Sequence, residues 1–293
     1  MFSRTCHECK TRIARRLRRI VMRDGWCEVK RLGHRWRLRP GHFIDDQLIE
    51  RGIFEADTTR RAQRLVQPGM HILDVGANFG YFTVLFAQLV GPRGHVWAFE
   101  PSRHYRDRLR GHLEANHLED RVTVVPYGLS DREESARLHI GECSATLHPM
   151  DNHPVGHEER VELRRLDDVA RELNIDEVDL IKVDIDGHEP AFLRGAQELI
   201  RVRRPIMIVE FYQGNLDQAG GDVRQQKRML EALGYELRSD RTGRAFTSRF
   251  EFLYECGNFT HSANVWAHPK RIVPEGTNPN DLDDPADIGR AAA

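Results

Sequence analysis

The chain has 293 residues, with 44 lysines and arginines against 45 aspartates and glutamates, 40% apolar side chains and five cysteines. That apolar share suffices for one ample core, and ordinary glycine and proline usage excludes a fibrous or wholly disordered chain. The longest apolar stretch, Tyr81 to Val90, is broken by Thr83 and Gln88 and is too short to cross a bilayer; the start shows no secretory pattern, and the irregular cysteines point to a reducing compartment.

The near-zero net charge averages unlike parts. Between Lys10 and Arg39 there are twelve lysines and arginines, and the only acids are Asp24 and Glu28. Ile13, Leu17, Ile20 and Val21 recur there at helical spacing. We read residues 1–40 as a basic arm that packs on the core or stays solvated. The interleaved Trp26 and Trp36 keep docking on an anionic membrane surface open, with nucleic acid the less favoured partner and a targeting role a further alternative. Cys6-x-x-Cys9 has no second cysteine pair at zinc spacing and is taken as coincidental.

A helical lead-in over 41–67 carries Ile44, Leu48 and Ile49, then Ala62, Leu65 and Val66. Beyond Pro68, short runs rich in valine and isoleucine follow at His71–Val75, His95–Glu100, Val122–Pro126, Leu180–Asp184 and Ile206–Glu210. Helical stretches fall between and after them, at Tyr81–Leu89, Arg103–Asn116, Ala191–Arg201 and Arg224–Leu233. The runs lack the polar alternation of half-exposed strands, so they predict an α/β fold with a mostly parallel sheet and helices on both faces. Residues 135–165 depart from the alternation, and Arg137–Ile140 with Val161–Arg164 predict an inserted strand pair. After a strand at Tyr235–Leu237, the segment Asn264–Ala267 comes without a crossover helix and predicts an antiparallel last strand. The last 26 residues hold five acids, three bases and four prolines, so 269–293 is expected to be a disordered tail and 41–268 the domain.

The chemistry gathers at strand ends. His71-Ile-Leu-Asp-Val-Gly-Ala-Asn-Phe-Gly-Tyr81 runs from a strand through a glycine turn into a helix. Gly76 and Gly80 admit positive φ and a closely approaching ligand, and the helix N-terminus favours an anionic or electron-rich group. Phe99-Glu-Pro-Ser102 places Glu100 at the tip of the next strand, where a carboxylate accepts hydrogen bonds from two ribose hydroxyls. The nucleoside is then that of NAD or of a sulfonium cofactor, and the turn discriminates. It reads Gly-x-x-x-Gly and lacks the Gly-x-Gly-x-x-Gly that makes room for a pyrophosphate. Asp74 would repel pyrophosphate but suits the methionine ammonium of S-adenosylmethionine.

A second cluster, Leu180-Ile-Lys-Val-Asp-Ile-Asp-Gly-His-Glu-Pro190, crowds Asp184, Asp186, His188 and Glu189 at the end of one strand. Such density costs electrostatic energy, which favours a use over a merely solvated loop. His188 is the first candidate for a general base, with Glu210 and Asp186 behind it. Asp184, Asp186 and Glu210 are alternatively an oxygen-rich divalent metal site. Lys182 is read as facing away from Asp184, in a structural ion pair. His139, His148, His153 and His157 fall in or beside a segment with Pro149 and Pro154, read as a lid or substrate loop; their spacing matches no standard metal site. Glu55 and Thr58, upstream of the first strand, are read either as approaching the methionine end of a cofactor or, equally, as ordinary helix-surface residues.

Leu73-Asp-Val-Gly-Ala-Asn-x-Gly80, Phe99-Glu-Pro-Ser102, Leu166-Asp-Asp168 and Ile181-Lys-Val-Asp-Ile-Asp-Gly-His-Glu189 together resemble the FkbM family of S-adenosylmethionine-dependent methyltransferases, in order and spacing across residues 50–268. Ser144-Ala-Thr-Leu147 also resembles a family feature. The resemblance implies a class I Rossmann-like methyltransferase fold with a seven-stranded sheet, S-adenosyl-L-methionine as cofactor, and as acceptor a hydroxyl of a sugar, glycolipid or other small-molecule natural product. Carried over position by position, Asp74, Gly76, Ala77, Asn78, Gly80, Glu100, Pro101 and Asp184 would line the cofactor site. Asp184, Asp186, His188 and Glu189 would border the site of transfer. Asp186 departs from the family, which commonly has glutamate before that glycine, so its carboxylate has a shorter reach.

The expected reaction is in-line attack of a substrate oxygen on the sulfonium methyl, with the protein supplying orientation. The alternatives are RNA or another small molecule as acceptor on the same fold, and a non-catalytic cofactor-binding protein. A sugar site would show aromatics and carboxylates at its mouth, whereas RNA would need a basic surface running into it from the arm. The expected setting is cytoplasmic, peripheral to a membrane if the arm docks there. The oligomeric state is left open.

Overall fold

The alternating side chains of the basic arm explain its described part. The computed structural model describes residues 25–141, 145–148, 156–257 and 261–270. Cys27–Arg31 (β1) and His34–Leu38 (β2) pair antiparallel as a hairpin. In β2, His34, Trp36 and Leu38 are buried while Arg35 and Arg37 point outward, the period-2 pattern of a strand with one face on a core. Trp36 stacks on Tyr81 at 5.7 Å and meets Phe79 and His112 edge-on. Trp36 is therefore a core residue and cannot anchor a membrane, while Trp26 lies near the guanidinium groups of Arg37 and Arg108. The helical pattern at Ile13–Val21, the Cys6–Cys9 pair and the acidic tail beyond Lys270 lie outside the described residues.

The lead-in is two helices, Phe43–Arg51 (α1) and Ala56–Leu65 (α2). Arg31 donates to the carbonyls of Leu48 and Ile49 at the end of α1, the first of which also accepts the capping N–H of Gly52. Then His71–Val75 (β3), Tyr81–Val90 (α3), His95–Phe99 (β4), Arg103–Asn116 (α4) and Val122–Val125 (β5) alternate as expected. The insertion holds Gly128–Leu129 (β6), Glu134–Ile140 (β7), Ala145–Thr146 (β8) and His157–Arg164 (β9). These four form their own sheet in the order β6-β9-β7-β8, with the expected antiparallel pair at its centre and Ala136 opposite Val161.

Leu166–Glu172 (α5), Leu180–Val183 (β10), Glu189–Gly195 (α6), Gln197–Arg203 (α7) and Ile206–Phe211 (β11) follow. The single helix expected over Ala191–Arg201 is broken in two at Ala196, where φ is −118° and ψ 12°. Asp167 accepts from the backbone N–H groups of Glu198 and Leu199 and so holds the start of α7. Gln213–Gln218 (α8), Val223–Ala232 (α9), Tyr235–Ser239 (β12), Arg249–Cys256 (α10) and Ala263–Pro269 (β13) complete the chain.

The main sheet has seven strands in the order β12-β13-β11-β10-β3-β4-β5. Pairs from β11 to β5 are parallel, and β13 is antiparallel to both its neighbours. A helix, α10, does lie between β12 and β13; because those strands are antiparallel neighbours it is no crossover. One apolar layer gathers Trp36, Phe82, Phe86 and Leu109, the other Val75, Ile181, Phe192 and Phe211. This is the class I Rossmann-like α/β architecture. Its parallel strands point the same way, so the carboxyl ends of β3, β4, β10 and β11 share one edge.

Candidate active site

A cavity of about 920 Å³ opens at that edge. On the β3 side, Gly76 (φ 82°), Asn78 (φ 51°) and Gly80 (φ 94°) turn the chain sharply from strand into helix. The N–H groups of Gly76 and Ala77 both donate to the Phe99 carbonyl, tying this turn to β4. Asp74 is 1% exposed and accepts from the Thr83 hydroxyl through Oδ2, while its Oδ1 is buried without a protein partner. Glu100 accepts from the N–H of Asn78 through Oε2 and from that of Ser102 through Oε1, both at 2.8 Å. Each of those oxygens keeps a lone pair for a ribose hydroxyl. Burial pushes the Glu100 carboxyl up to about 7, against the pull of those two N–H groups and Arg106. Ala77, Asn78, Glu100 and Pro101 line the cavity.

The β10 side differs from expectation at two residues. Lys182 shares a face with Asp184 and donates to its Oδ2 at 2.7 Å. Residues two apart on a strand point the same way, so the expectation that it faces away is overturned. Lys182 is 2% exposed, lies over the Phe82 ring and is paired in register with Asp74 of β3. Burial alone would push its ammonium pKa down, but Asp184, Glu55 and Asp74 together raise it. Glu189 is the second correction. Its Oε1 accepts from the N–H groups of Ile185 and Gly187, so it closes the turn beneath the site and does not line the cavity.

Asp184, Asp186, His188 and Glu210 do line it. Asp186 sits at φ 52° and accepts from Asn215 through Oδ1. Burial and the charges of Asp184, Asp186 and Glu189 raise the Glu210 carboxyl well above the ordinary range. His188 is bonded at both ring nitrogens, to Ser130 Oγ at 2.9 Å and to His148 Nε2 at 3.3 Å. Burial, then the neighbouring His148, lower it to about 4. No three His, Cys, Asp or Glu side chains of the described residues are grouped to hold a metal ion, and Asp184 is committed to Lys182. Of the four histidines in the inserted segment, His139 and His148 reach the cavity, His157 does not, and His153 lies outside the described residues.

Glu55 enters the cavity from the start of α2, at φ 41°, and accepts from Asn264 at 2.6 Å. Thr58 is turned away and donates to Asp240. Sequence reasoning missed Ser130, Asn215, Tyr212 and the central place of Lys182. Only Lys182 left a local signal, its spacing of two from Asp184.

The orphaned Oδ1 of Asp74 fits an ammonium, and the two spare lone pairs of Glu100 fit a ribose. The residues present therefore suit S-adenosylmethionine. A Rossmann-like sheet with these two carboxylates around a glycine turn defines an S-adenosylmethionine-dependent methyltransferase. The methyltransferase FkbM domain matches residues 74–237, more than half of the chain, and the protein belongs to that family. It is 26% identical to the AMB antimetabolite synthetase AmbE of Pseudomonas aeruginosa over 73% of this chain, but spans only 12% of AmbE. It is 28% identical to the 2-O-methyltransferase NoeI of Sinorhizobium fredii over 52% of this chain and 69% of NoeI. The crystal structure of an FkbM methyltransferase from Methylobacillus flagellatus covers 68% of this chain and 44% of that one, at 17% identity and a TM-score of 0.46. No helix of the described residues is long and apolar enough to cross a membrane.

The buried acids set a pH dependence. Burial pushes Glu55 and Glu100 up to about 7 and Glu189 up to about 8, so each retains a proton in the folded state that the unfolded chain has released. Such groups cost stability progressively as pH rises from the unfolded carboxyl pKa through the folded one. His188 and His268, lowered by burial to about 4, act oppositely, but only as pH falls below the ordinary histidine value. Between pH 6.5 and 8 the carboxyls dominate, and the ligand-free protein is expected to melt on the order of 5 °C higher at the lower pH. Scanning fluorimetry checks this; a melting temperature that rises towards pH 8 would refute it.

Proposed function

We propose that this protein is an S-adenosylmethionine-dependent O-methyltransferase acting on a hydroxyl of a sugar, glycolipid or small natural product. One observation carries the choice of acceptor. The cavity wall presents Glu55, Asp74, Glu100, Asp184, Asp186 and Glu210 against only Arg51 and Lys182, with Phe43, Phe54, Tyr127 and Tyr212 among its aromatics. Carboxyl groups and ring faces suit a polyhydroxylated acceptor, whereas a wall with so few cations offers little to hold the phosphates of RNA. That NoeI is a 2-O-methyltransferase supports the same reading.

S-adenosylmethionine, when bound, supplies an electrophilic methyl group on a sulfonium. Asp74 Oδ1 would hold its ammonium and Glu100 its ribose hydroxyls, with the Ala77–Gly80 turn against the nucleoside. The facing wall then orients the acceptor oxygen and takes its proton. We assign Glu210 a hydrogen-bonding part towards the acceptor and not that of base, its carboxyl being raised well above the ordinary range by burial and the neighbouring acids. Asp186 is anchored by Asn215 and is placed to orient a second hydroxyl. The proton acceptor is then a histidine, neutral near pH 7 because burial lowers both His188 and His148.

Calorimetry with S-adenosylmethionine and its demethylated product is the first test, and absence of binding to either would end the enzyme reading. The second is incubation with methyl-labelled cofactor and glycan, lipid, small-molecule and RNA fractions of the host, with and without chelator. Label in the glycan, lipid or small-molecule fraction is expected; label confined to RNA would overturn the acceptor class. Loss of labelling with chelator would establish a metal requirement.

A further inference from the structure

We infer that His148, rather than His188, accepts the proton of the acceptor hydroxyl, and that Ser130 and His188 are positioning residues that fix the tautomer of His148. The inference rests on the O-methyltransferase reading above and deepens it. Its starting point is Ser130, which is 1% exposed and tightly held. Its backbone N–H donates to the Arg164 carbonyl, and a Cβ on Gly195 of α6 would lie 1.9 Å from its carbonyl oxygen. Its hydroxyl is directed at Asp131 Oδ1, 3.5 Å away, and Asp131 is itself paired with Arg194.

With its hydrogen turned to Asp131, Ser130 Oγ faces His188 Nε2 with lone pairs, so that nitrogen carries the proton. Nδ1 of the neutral ring is then an acceptor, and the atom opposite it is His148 Nε2. His148 must donate there, which leaves its own Nδ1 with the lone pair. That Nδ1 has no partner among the described residues, and the His148 ring, stacked on His188 at 5.6 Å, lines the cavity beside Asp184 and Asp186. Every donor in the chain points the same way: acceptor hydroxyl to His148, to His188, to Ser130, to Asp131. His188 has both nitrogens engaged and no lone pair left for a substrate. Sequence reasoning chose His188 because it sits in the motif; His148 is 40 residues away and joins it only in the fold.

In the transfer, the oxygen lone pair forms the new C–O bond as the C–S bond breaks and leaves its electron pair on sulfur. The hydroxyl proton goes to Nδ1 of His148, whose Nε2 proton is shared with His188, and one proton returns to water when product leaves. The products are a methyl ether and the neutral thioether of the spent cofactor.

Two readouts test this. In protein labelled with 15N-histidine, long-range proton–nitrogen spectra at pH 7.5 are expected to show His148 and His188 as neutral Nε2–H tautomers. Ser130→Ala should mix the tautomers of both rings. In the labelling assay, His148→Gln is expected to lower transfer about 100-fold or more, with cofactor affinity kept within about threefold, whereas Ser130→Ala costs about tenfold. An Nδ1–H tautomer at His148 overturns the inference, as does a His148→Gln protein that binds cofactor and transfers at the wild-type rate. The tautomer measurement needs no acceptor. It therefore decides this inference even if wild-type protein labels no fraction, the result that would instead defeat the O-methyltransferase reading.

Discussion

Lys182→Met is expected to destabilise the protein by about 3–5 kcal/mol at pH 8, the cost of leaving buried carboxylates without their cation. Methionine has a similar length and would keep the contact with the Phe82 ring that the lysine ammonium now makes at 4.6 Å. The volume of the site is nearly conserved, so the loss is electrostatic. Lys182 donates to Asp184, stands beside Asp74 in the strand register, and feels Glu55 as well. Without it those acids can be accommodated only by taking up protons. The penalty at pH 5.5 should therefore be smaller than at pH 8, because protonation there is nearly free. Urea unfolding followed by circular dichroism at the two pH values measures both numbers. A variant as stable as wild type at pH 8 would show that Lys182 does not neutralise the site. Binding of S-adenosylmethionine should weaken in parallel, since a protonated Asp74 no longer attracts an ammonium.

The second large effect is expected from Gly76→Ala. Gly76 stands at φ 82°, and a Cβ there would lie 1.9 Å from the carbonyl oxygen of Asp184 and 3.0 Å from Ile185. Neither the carbonyl, held in the β3–β10 connection by Asp184 N–H donating to Val75, nor the alanine methyl can rotate aside. The carboxyl ends of β3 and β10 must separate, carrying Asp74 and Asp184 with them. We expect a loss of about 2–5 kcal/mol, the sum of overpacking and the left-handed backbone. Cofactor affinity should fall at least about tenfold, as displaced first contacts would require. Gly69→Ala separates the two causes: φ is 93° there, but nothing lies within 4 Å of the added methyl. That control should lose only about 1 kcal/mol. If the two variants lose the same amount, the contact with Asp184 is not what matters.

The residues on which these effects depend were unequally legible. The bounds of β3 coincide with the run His71–Val75, and the Arg103–Asn116 helix is likewise as expected. Both are long enough, and regular enough in their apolar spacing, for the local pattern to decide. The Gly76 turn was legible too, since a strand ending in glycine before a helix requires positive φ whatever lies around it. Trp36 was misread in kind. His34-Arg-Trp-Arg-Leu38 alternates, which is the signature of a half-buried strand, but its arginines drew it into the basic arm. Lys182 was misread through parity, a purely local error. Glu189 was legible as a titratable group at a strand end, but its direction was not. It turns inward because the N–H groups of Ile185 and Gly187 need an acceptor in a buried turn.

The sequence by itself determined the family, the sheet, the glycine turn and the two carboxylates, Asp74 and Glu100, that suit the cofactor. Each is specified within a few neighbouring residues, by apolar periodicity or by a backbone conformation that few residue types allow. Only the tertiary structure decided which groups carry charge and which carry protons. It set Lys182 among Glu55, Asp74 and Asp184, and it brought His148 and Ser130 to either side of His188. Charge and tautomer follow from desolvation and from partners at 3 Å or so. Those partners come from distant parts of the chain, and no local pattern of residues encodes them.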